Sequence, residues 1–264
     1  MFGDCLDRMS EIAQGSVNMV AADLPYKATI HAWDSIIPCE PLWKQYKRVT
    51  TRNAAIVLTA IQPFASLLVM SNLKMFRYEL IAEKTMPTMF QQAKKMPLRK
   101  HENVLVFYRK LPTYNPQFEA GKPYKRAAGS GDRKASGFHS QAIVKTAIDN
   151  KGTRYPGSVK KFSNSNHGLL HPTQKSIELM EYLIKTYSNE GDTILDNAMG
   201  SGTTGEACIN LNRKFIGIEK DPHYFEVAQE RIEKAWARRE MGITPLPNMP
   251  LFPAPSQARF IEEG

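Results

Sequence analysis

The stretch from Thr193 to Glu219 constrains the fold more than any other part of this 264-residue chain. A short apolar run ends in Asp196, and Asn197-Ala198-Met199-Gly200-Ser201-Gly202-Thr203-Thr204 follows directly. An apolar run, a glycine-bearing turn and a helix-forming segment make a strand–turn–helix unit, in which a ligand can meet bare backbone at a helix N-terminus. Gly200 and Gly202 supply conformations that a side chain would forbid. Thr203 and Thr204 are expected to cap the helix and to hydrogen-bond a ligand carboxylate. A second apolar run, Phe215-Ile216-Gly217-Ile218, ends in Glu219, 23 positions after Asp196. An acid about 20 residues on, at the end of the next strand, can hold ribose hydroxyls. The sequence has no Gly-x-x-x-x-Gly-Lys-Ser/Thr, which argues against a nucleoside-triphosphate loop.

The rest of the chain repeats this alternation. Val17 to Ala22 reads as a buried strand, and residues 38–49 as a helix with Leu42, Trp43, Tyr46 and Val49 at helical spacing. A strand is predicted over 53–60, a helix from Pro63 to Ser71, and strands over 78–83 and 103–108. A helix is predicted from Pro172 to Tyr187, then strand 193–196, helix 204–211, strand 214–219 and helix 222–238. Strands and helices in this order imply an α/β fold with a mixed, mostly parallel sheet and helices on both faces. Cys5, Cys39 and Cys208 are scattered without metal-ligand spacing, so no metal site is expected and a reducing cytoplasm is the natural setting. No apolar run reaches the roughly 20 residues that span a bilayer, and the first residues do not read as a secretory signal.

The net charge is +9, and its distribution is uneven. Residues 94–161 hold 16 Lys or Arg against four acids, about +12, which leaves about −3 for the remainder. A basic middle between near-neutral ends is the footprint of a phosphate-binding surface, here nucleic acid; a solvated lysine-rich loop is the plainer alternative. From Lys110 to His167 apolar periodicity weakens, and Gly, Pro, Ser and Lys dominate. So long a weakly patterned stretch is functional or lacks regular structure. The tail from Pro245 to Gly264 is proline-rich and is expected to lack regular structure.

The strand over Val17–Ala22 runs into Asp23-Leu24-Pro25-Tyr26. An acid, a proline and an aromatic at the mouth of a strand can grip a flat base bearing an amino group. Joined to the glycine loop, with the acidic motif first, this resembles the β-type, circularly permuted group of DNA amino-methyltransferases. Those enzymes methylate the exocyclic nitrogen of adenine or cytosine with S-adenosyl-L-methionine. The resemblance covers about residues 3–235. It implies a Rossmann-like, S-adenosylmethionine-dependent methyltransferase fold, double-stranded DNA as partner, and a bacterial or phage setting of the restriction-modification kind. A homodimer is one assembly it admits. The parts would be a catalytic half over 1–109, a basic target-recognition insertion over 110–168, a cofactor-binding half over 169–240 and the tail over 241–264.

By that resemblance, Asp196 and the backbone of Gly200, Ser201 and Gly202 surround the methionine part of the cofactor, and Glu219 binds its ribose. His171-Pro172-Thr173-Gln174-Lys175 is similar to another cofactor element, in which Thr173 and Lys175 reach the methionine carboxylate. Gly3-Asp4-Cys5-Leu6 resembles the segment that sets an acid, Asp4, near the adenine. The family loop usually reads Asp-Pro-Phe-x-Gly-Ser-Gly; Asn197 and Ala198 depart from it here. Leu24 replaces a usual proline, and Lys27 a common glycine. Trp33-Asp34 is expected to belong to a loop over the target.

Exocyclic amino groups are poor nucleophiles, because their lone pair is delocalised into the ring. Catalysis therefore needs acceptors that hold the amino hydrogens and aim the lone pair at the methyl carbon. Asp23 is one such acceptor, and the Leu24 carbonyl can be the second whatever its side chain. Pro25 fixes the turn, and Tyr26 offers a face for an extruded base. In the family, an acid at the first motif position goes mostly with adenine N6 and serine with cytosine N4, so Asp23 favours adenine. Asn115, Gln117, Arg133, Gln141 and Arg154 are candidates for reading base edges. Two other readings stand beside this one: the same fold acting on RNA or a protein amide, and a DNA-binding protein with a decayed site.

Overall fold

The computed structural model describes residues 1–26, 36–127, 147–163 and 174–242. In chain order the elements are α1 (Cys5–Ser10), β1 (Val17–Asp23), α2 (Cys39–Val49), β2 (Thr50–Ala60), α3 (Phe64–Ser71), β3 (Phe76–Thr88) and β4 (Arg99–Phe107). The short strands β5 (Glu119–Ala120), β6 (Tyr124–Arg126), β7 (Ile148–Asn150) and β8 (Thr153–Arg154) follow, then β9 (Val159–Phe162). The chain continues with α4 (Ile177–Tyr187), β10 (Thr193–Asp196), α5 (Thr203–Asn210), β11 (Lys214–Gly217) and α6 (Pro222–Glu240).

Seven strands form the main sheet in the order β11-β10-β1-β2-β4-β3-β9. Four of its neighbouring pairs are parallel, and β4 runs antiparallel to both β2 and β3. Both faces are covered, which is why the central strands read as continuous apolar runs. Val20, Ala22, Ile56, Leu58, Leu105 and Phe107 point into one layer with Leu42, Trp43 and Tyr46 of α2 and Phe64 and Leu68 of α3. Met19, Ala21, Ala55, Val57, Val104 and Val106 point into the other, with Leu179, Leu183 and Ile184 of α4 and Ala207 and Cys208 of α5. The expected α/β architecture is present.

The boundaries differ from the expected ones in instructive places. β3 and β4 extend beyond 78–83 and 103–108 because they pair with each other along their outer ends, Glu83 opposite His101 and Thr88 opposite Arg99. β9 lies inside the stretch read as weakly patterned and pairs in parallel with β3. Its Val-Lys-Lys-Phe sequence fits an edge strand, where lysines discourage further pairing. The helix predicted from Pro172 begins, among the described residues, at Ile177. The tail from Pro245 lies outside the described residues.

Two compact units divide the chain: 1–115 with 158–264, and Pro116–Gly157. In the smaller unit β5 pairs with β8 and β6 with β7, all antiparallel. The Arg154 guanidinium lies 4.7 Å from the centre of the Tyr124 ring, and the Phe118 and Tyr155 rings are 4.9 Å apart. No helix among the described residues is long and apolar enough to cross a membrane.

Candidate active site

β1 and β10 are neighbours, but the chain leaves them in opposite directions. From β1 it passes through α2 to β2; from β10 it passes through α5 to β11. Such a switch point opens a crevice beyond the carboxyl ends of the two strands, where open α/β sheets hold their ligands. A cavity of about 220 Å³ lies there. Asp23, Leu24, Pro25 and Tyr26 line it from β1, and Asp196 to Ser201, Thr203 and Thr204 from β10 and its loop. Asp4, Lys175 and Glu219 complete the wall. Two motifs more than 170 residues apart are thereby brought to one cavity.

On the glycine-loop side, Asp196 is almost wholly buried. Its Oδ2 accepts a hydrogen bond from Thr204 Oγ1 at 2.5 Å and its Oδ1 one from the Ala198 N–H at 3.1 Å. Burial pushes this carboxyl up to about 7, although both hydrogen bonds oppose the rise. The Gly200 N–H donates to Glu219 Oε2 at 2.9 Å, while Glu219 Oε1 accepts from the N–H groups of Lys220 and Asp221. Asp4 reaches the same region because Phe2 bridges to Glu219 and the Gly3 N–H donates to the Glu219 carbonyl. There it caps α1, accepting from the Leu6 N–H at 2.9 Å.

The two threonines do not cap α5. Gly202 occupies the cap position with φ +78°, so the cap residue offers no side chain to the helix start. Thr204 is turned to Asp196 instead, and Thr203 Oγ1 accepts from Arg231 Nη1 at 2.8 Å. Gly202 is absent from the cavity wall; a Cβ there would lie 3.0 Å from Ala228 Cβ on α6. Its glycine serves helix packing, whereas Gly200 and Ser201 face the cavity. Arg231, on α6, pairs with buried Glu206 of α5 at 2.6 Å and braces the loop from behind.

Asn197, one of the departures from the family loop, is held by Tyr46, whose hydroxyl donates to Oδ1 at 2.5 Å. Its Nδ2 is buried and has no hydrogen-bond partner among the described residues. Carboxylates at two adjacent strand ends and a glycine turn fit a ligand carrying hydroxyls and positive charge.

On the acidic side, Asp23 accepts from Thr59 Oγ1 on β2 at 2.6 Å through Oδ1. Its Oδ2 lies 3.0 Å from Lys175 Nζ, and the same ammonium lies 2.9 Å from Glu102 Oε2. Glu102 Oε1 in turn pairs with Lys84 Nζ at 2.5 Å. Burial pushes the Asp23 carboxyl up, while Lys175 and the Thr59 hydroxyl pull the other way. Burial works against charge on Lys175 as well, yet Asp23 and Glu102 together hold it protonated. Burial would raise Glu102 too, but Lys175 and Lys84 hold it at about 2. The Tyr26 ring is stacked near Phe64, with centroids 5.8 Å apart at 31°, and burial pushes its hydroxyl up to about 12. Leu24 is buried among the core residues of the α2 and α3 layer, so its departure from proline fills the core.

Lys175 therefore sits in the predicted cavity, with its amine between two carboxylates. Thr173, Lys27, Trp33, Arg133 and Gln141 lie outside the described residues. Asn115 is spent on structure: its side-chain amide donates to the carbonyls of Lys185 and Ser188 at the end of α4. Arg154 is likewise occupied by Asn150 and the Lys122 carbonyl. Sequence reasoning missed Glu102, Tyr46 and Arg231. None stands out in its own segment, since Glu102 lies in the polar outer half of β4 and Arg231 in a highly charged helix, and each acquires a role only once its partner is known. The small unit carries exposed Phe118, Tyr124 and Tyr155 in a segment that includes Lys122, Lys125, Arg126 and Lys151, the mixture of rings and cations that suits nucleic acid.

Comparisons with known proteins bear on the family and the fold. The family described as "N6_N4_Mtase: DNA methylase" matches residues 17–230. The Type II methyltransferase M2.DpnII of Streptococcus pneumoniae is 38% identical over 108 residues, 40% of this chain and 40% of that protein. The Type II methyltransferase M.HpaI of Haemophilus parainfluenzae is 40% identical over 91 residues, 33% of this chain and 29% of that protein. The aligned stretches thus span well under half the length of these curated relatives. Among solved structures, the M1.HpyAVI–SAM complex superposes with a TM-score of 0.59 at 23% identity, covering 88% of this chain and 97% of that one. The cytosine-N4-specific PvuII DNA methyltransferase superposes with a TM-score of 0.62 at 13% identity, covering 90% of each chain. Both likenesses bear on the fold. With the family match extending from the start of β1 into α6, this chain belongs to the N6/N4 DNA methylase family.

Proposed function

We propose that this chain methylates the N6 amino group of adenine in double-stranded DNA, at a specific sequence, by direct transfer to a base turned out of the duplex. The observation that carries the reading is the opening of Asp23 and of the Asp196–Ser201 loop into one cavity from adjacent strand ends. S-adenosyl-L-methionine supplies an electrophilic methyl group on a sulfonium. Asp196, Glu219, Asp4 and the loop backbone would hold it. Asp23 accepts one amino hydrogen and the Leu24 carbonyl the other, which turns the nitrogen lone pair towards the methyl carbon. The nitrogen would take the methyl as the sulfonium's carbon–sulfur bond breaks to leave a neutral thioether, and would then lose one proton to the Asp23 carboxylate. Pro25 holds the turn, and Tyr26 gives the extruded base an aromatic face. Thr173 and Lys175 would complete the cofactor end and its junction with Asp23, and the basic segment over 110–168 would choose the target. A decayed site would require the departures at Leu24, Lys27 and Asn197 to disable it; the first fills the core, the third is held by the Tyr46 hydroxyl, and Lys27 lies outside the described residues.

Tritiated methyl transfer to unmethylated bacterial DNA, with the product digested to nucleosides, tests the proposal. Label in N6-methyladenosine that vanishes in Asp23→Ala, with S-adenosylmethionine still bound by calorimetry, is the expected result. Label in N4-methylcytosine would keep the mechanism and move the target to that of the cytosine-N4-specific PvuII enzyme. Cofactor binding without transfer to any DNA would sink the reading.

A further inference from the structure

We propose that Glu102 and Lys84 are positioning residues for the Asp23 carboxylate, acting on it through the shared ammonium of Lys175. The inference rests on the reading of Asp23 as the acceptor for the amino group. Four side chains from four different segments form a row of alternating charge: Asp23 at the end of β1, Lys175 before α4, Glu102 on β4 and Lys84 on β3. The row holds two carboxylates and two ammoniums and is neutral as a whole. Lys175 divides itself almost evenly, 3.0 Å from Asp23 and 2.9 Å from Glu102.

That division matters for the chemistry. A buried carboxylate with no cation nearby takes up a proton and stops accepting hydrogen bonds. One that holds an ammonium to itself keeps its charge but becomes a weaker acceptor and base. By competing for Lys175, Glu102 keeps Asp23 between these limits, and Lys84 sets how strongly Glu102 competes. Thr59 on β2, Tyr26 beyond β1 and Asp196 on β10 also face Asp23, and Arg99 on β4 faces Tyr26. Thr59 bonds Asp23 and Asp196 bonds Thr204 rather than Glu102 or Lys84, so the two substitutions act mainly on the row.

The two changes should act in opposite directions. Glu102→Gln removes a negative charge and leaves Lys175 to Asp23 alone. Lys84→Met frees Glu102 to draw Lys175 away. The test is the rate of methyl transfer to bacterial DNA lacking methylated adenine, at saturating S-adenosylmethionine, as a function of pH. In Glu102→Gln the acid limb should move down by about one pH unit, as expected for one charge at this range, and the plateau should fall several-fold. In Lys84→Met the acid limb should move up. A merely structural role would lower rates without moving the limbs apart. Active variants whose limbs coincide with wild type, or move together, would overturn the inference. Inactive wild-type protein on every DNA would instead overturn the reading of Asp23. Thermal unfolding checks each variant, and should Glu102→Gln fail to fold, the upward shift in Lys84→Met, at a side chain 26% exposed, still decides the matter.

Discussion

Burial holds the Asp196 carboxyl up at about 7, and this gives the glycine-loop side of the cavity a pH dependence of its own. In the unfolded chain such a group loses its proton near pH 4, roughly, and in the folded one at about 7. The native state therefore holds a proton that the unfolded state has released across this window. Stability from this group is full below the window and is lost as pH rises through it. A positively charged ligand draws the proton off, so affinity for S-adenosylmethionine should rise between about pH 6 and 8. Calorimetry across that range should show the rise in wild type and a flat profile in Asp196→Asn. Gly202 makes a second residue-scale prediction. With φ at +78° and Ala228 3.0 Å from the position of a Cβ, Gly202→Ala should lower stability by about 1–2 kcal/mol in urea unfolding. Its fold defect should precede any loss of ligand contact, because the residue is absent from the cavity wall. Asp23, Asp196 and Glu219 were legible in the sequence because each ends an apolar run. Glu102 was not, because its partners are Lys84 on one strand and Lys175 far downstream.

Helices α5 and α6 are joined by a charge that neither helix shows in its own periodicity. Glu206 is 1% exposed and pairs with Arg231 at 2.6 Å and with Arg238 at 2.5 Å. Glu206→Leu leaves the buried Arg231 guanidinium without its carboxylate and should cost about 3–5 kcal/mol. Glu206→Leu combined with Arg231→Met should recover much of that loss. Guanidinium unfolding of the single and double variants would measure both. Among the strands, the central ones were readable because two covered faces demand unbroken apolar runs. The outer ends of β3 and β4 were not, since the pairing of Glu83 with His101 leaves no mark in either segment alone. α1, of six residues, is too short for periodicity to reveal.

Across the whole molecule the charge is divided as the function would require. The basic middle of the chain should make duplex binding strongly salt-dependent: with about six phosphate contacts, affinity falls on the order of a thousandfold between roughly 50 and 200 mM salt. Fluorescence anisotropy of labelled duplex DNA over that range would show the slope, and a flat response would leave the basic segment without a nucleic-acid role. The segment's charge could be read from composition, while its small paired strands could not, being two or three residues each. The placement of β1 beside β10 has a consequence for biosynthesis. A chain still on the ribosome carries Asp23 and the strands on one side of it, β2, β4, β3 and β9, before Thr193 to Glu219 emerge. Until β10 slides in against Met19 and Val20, the growing polypeptide has an acidic pocket mouth with no opposite wall. The proposed site is thus completed only when Thr193–Asp196 pairs with β1.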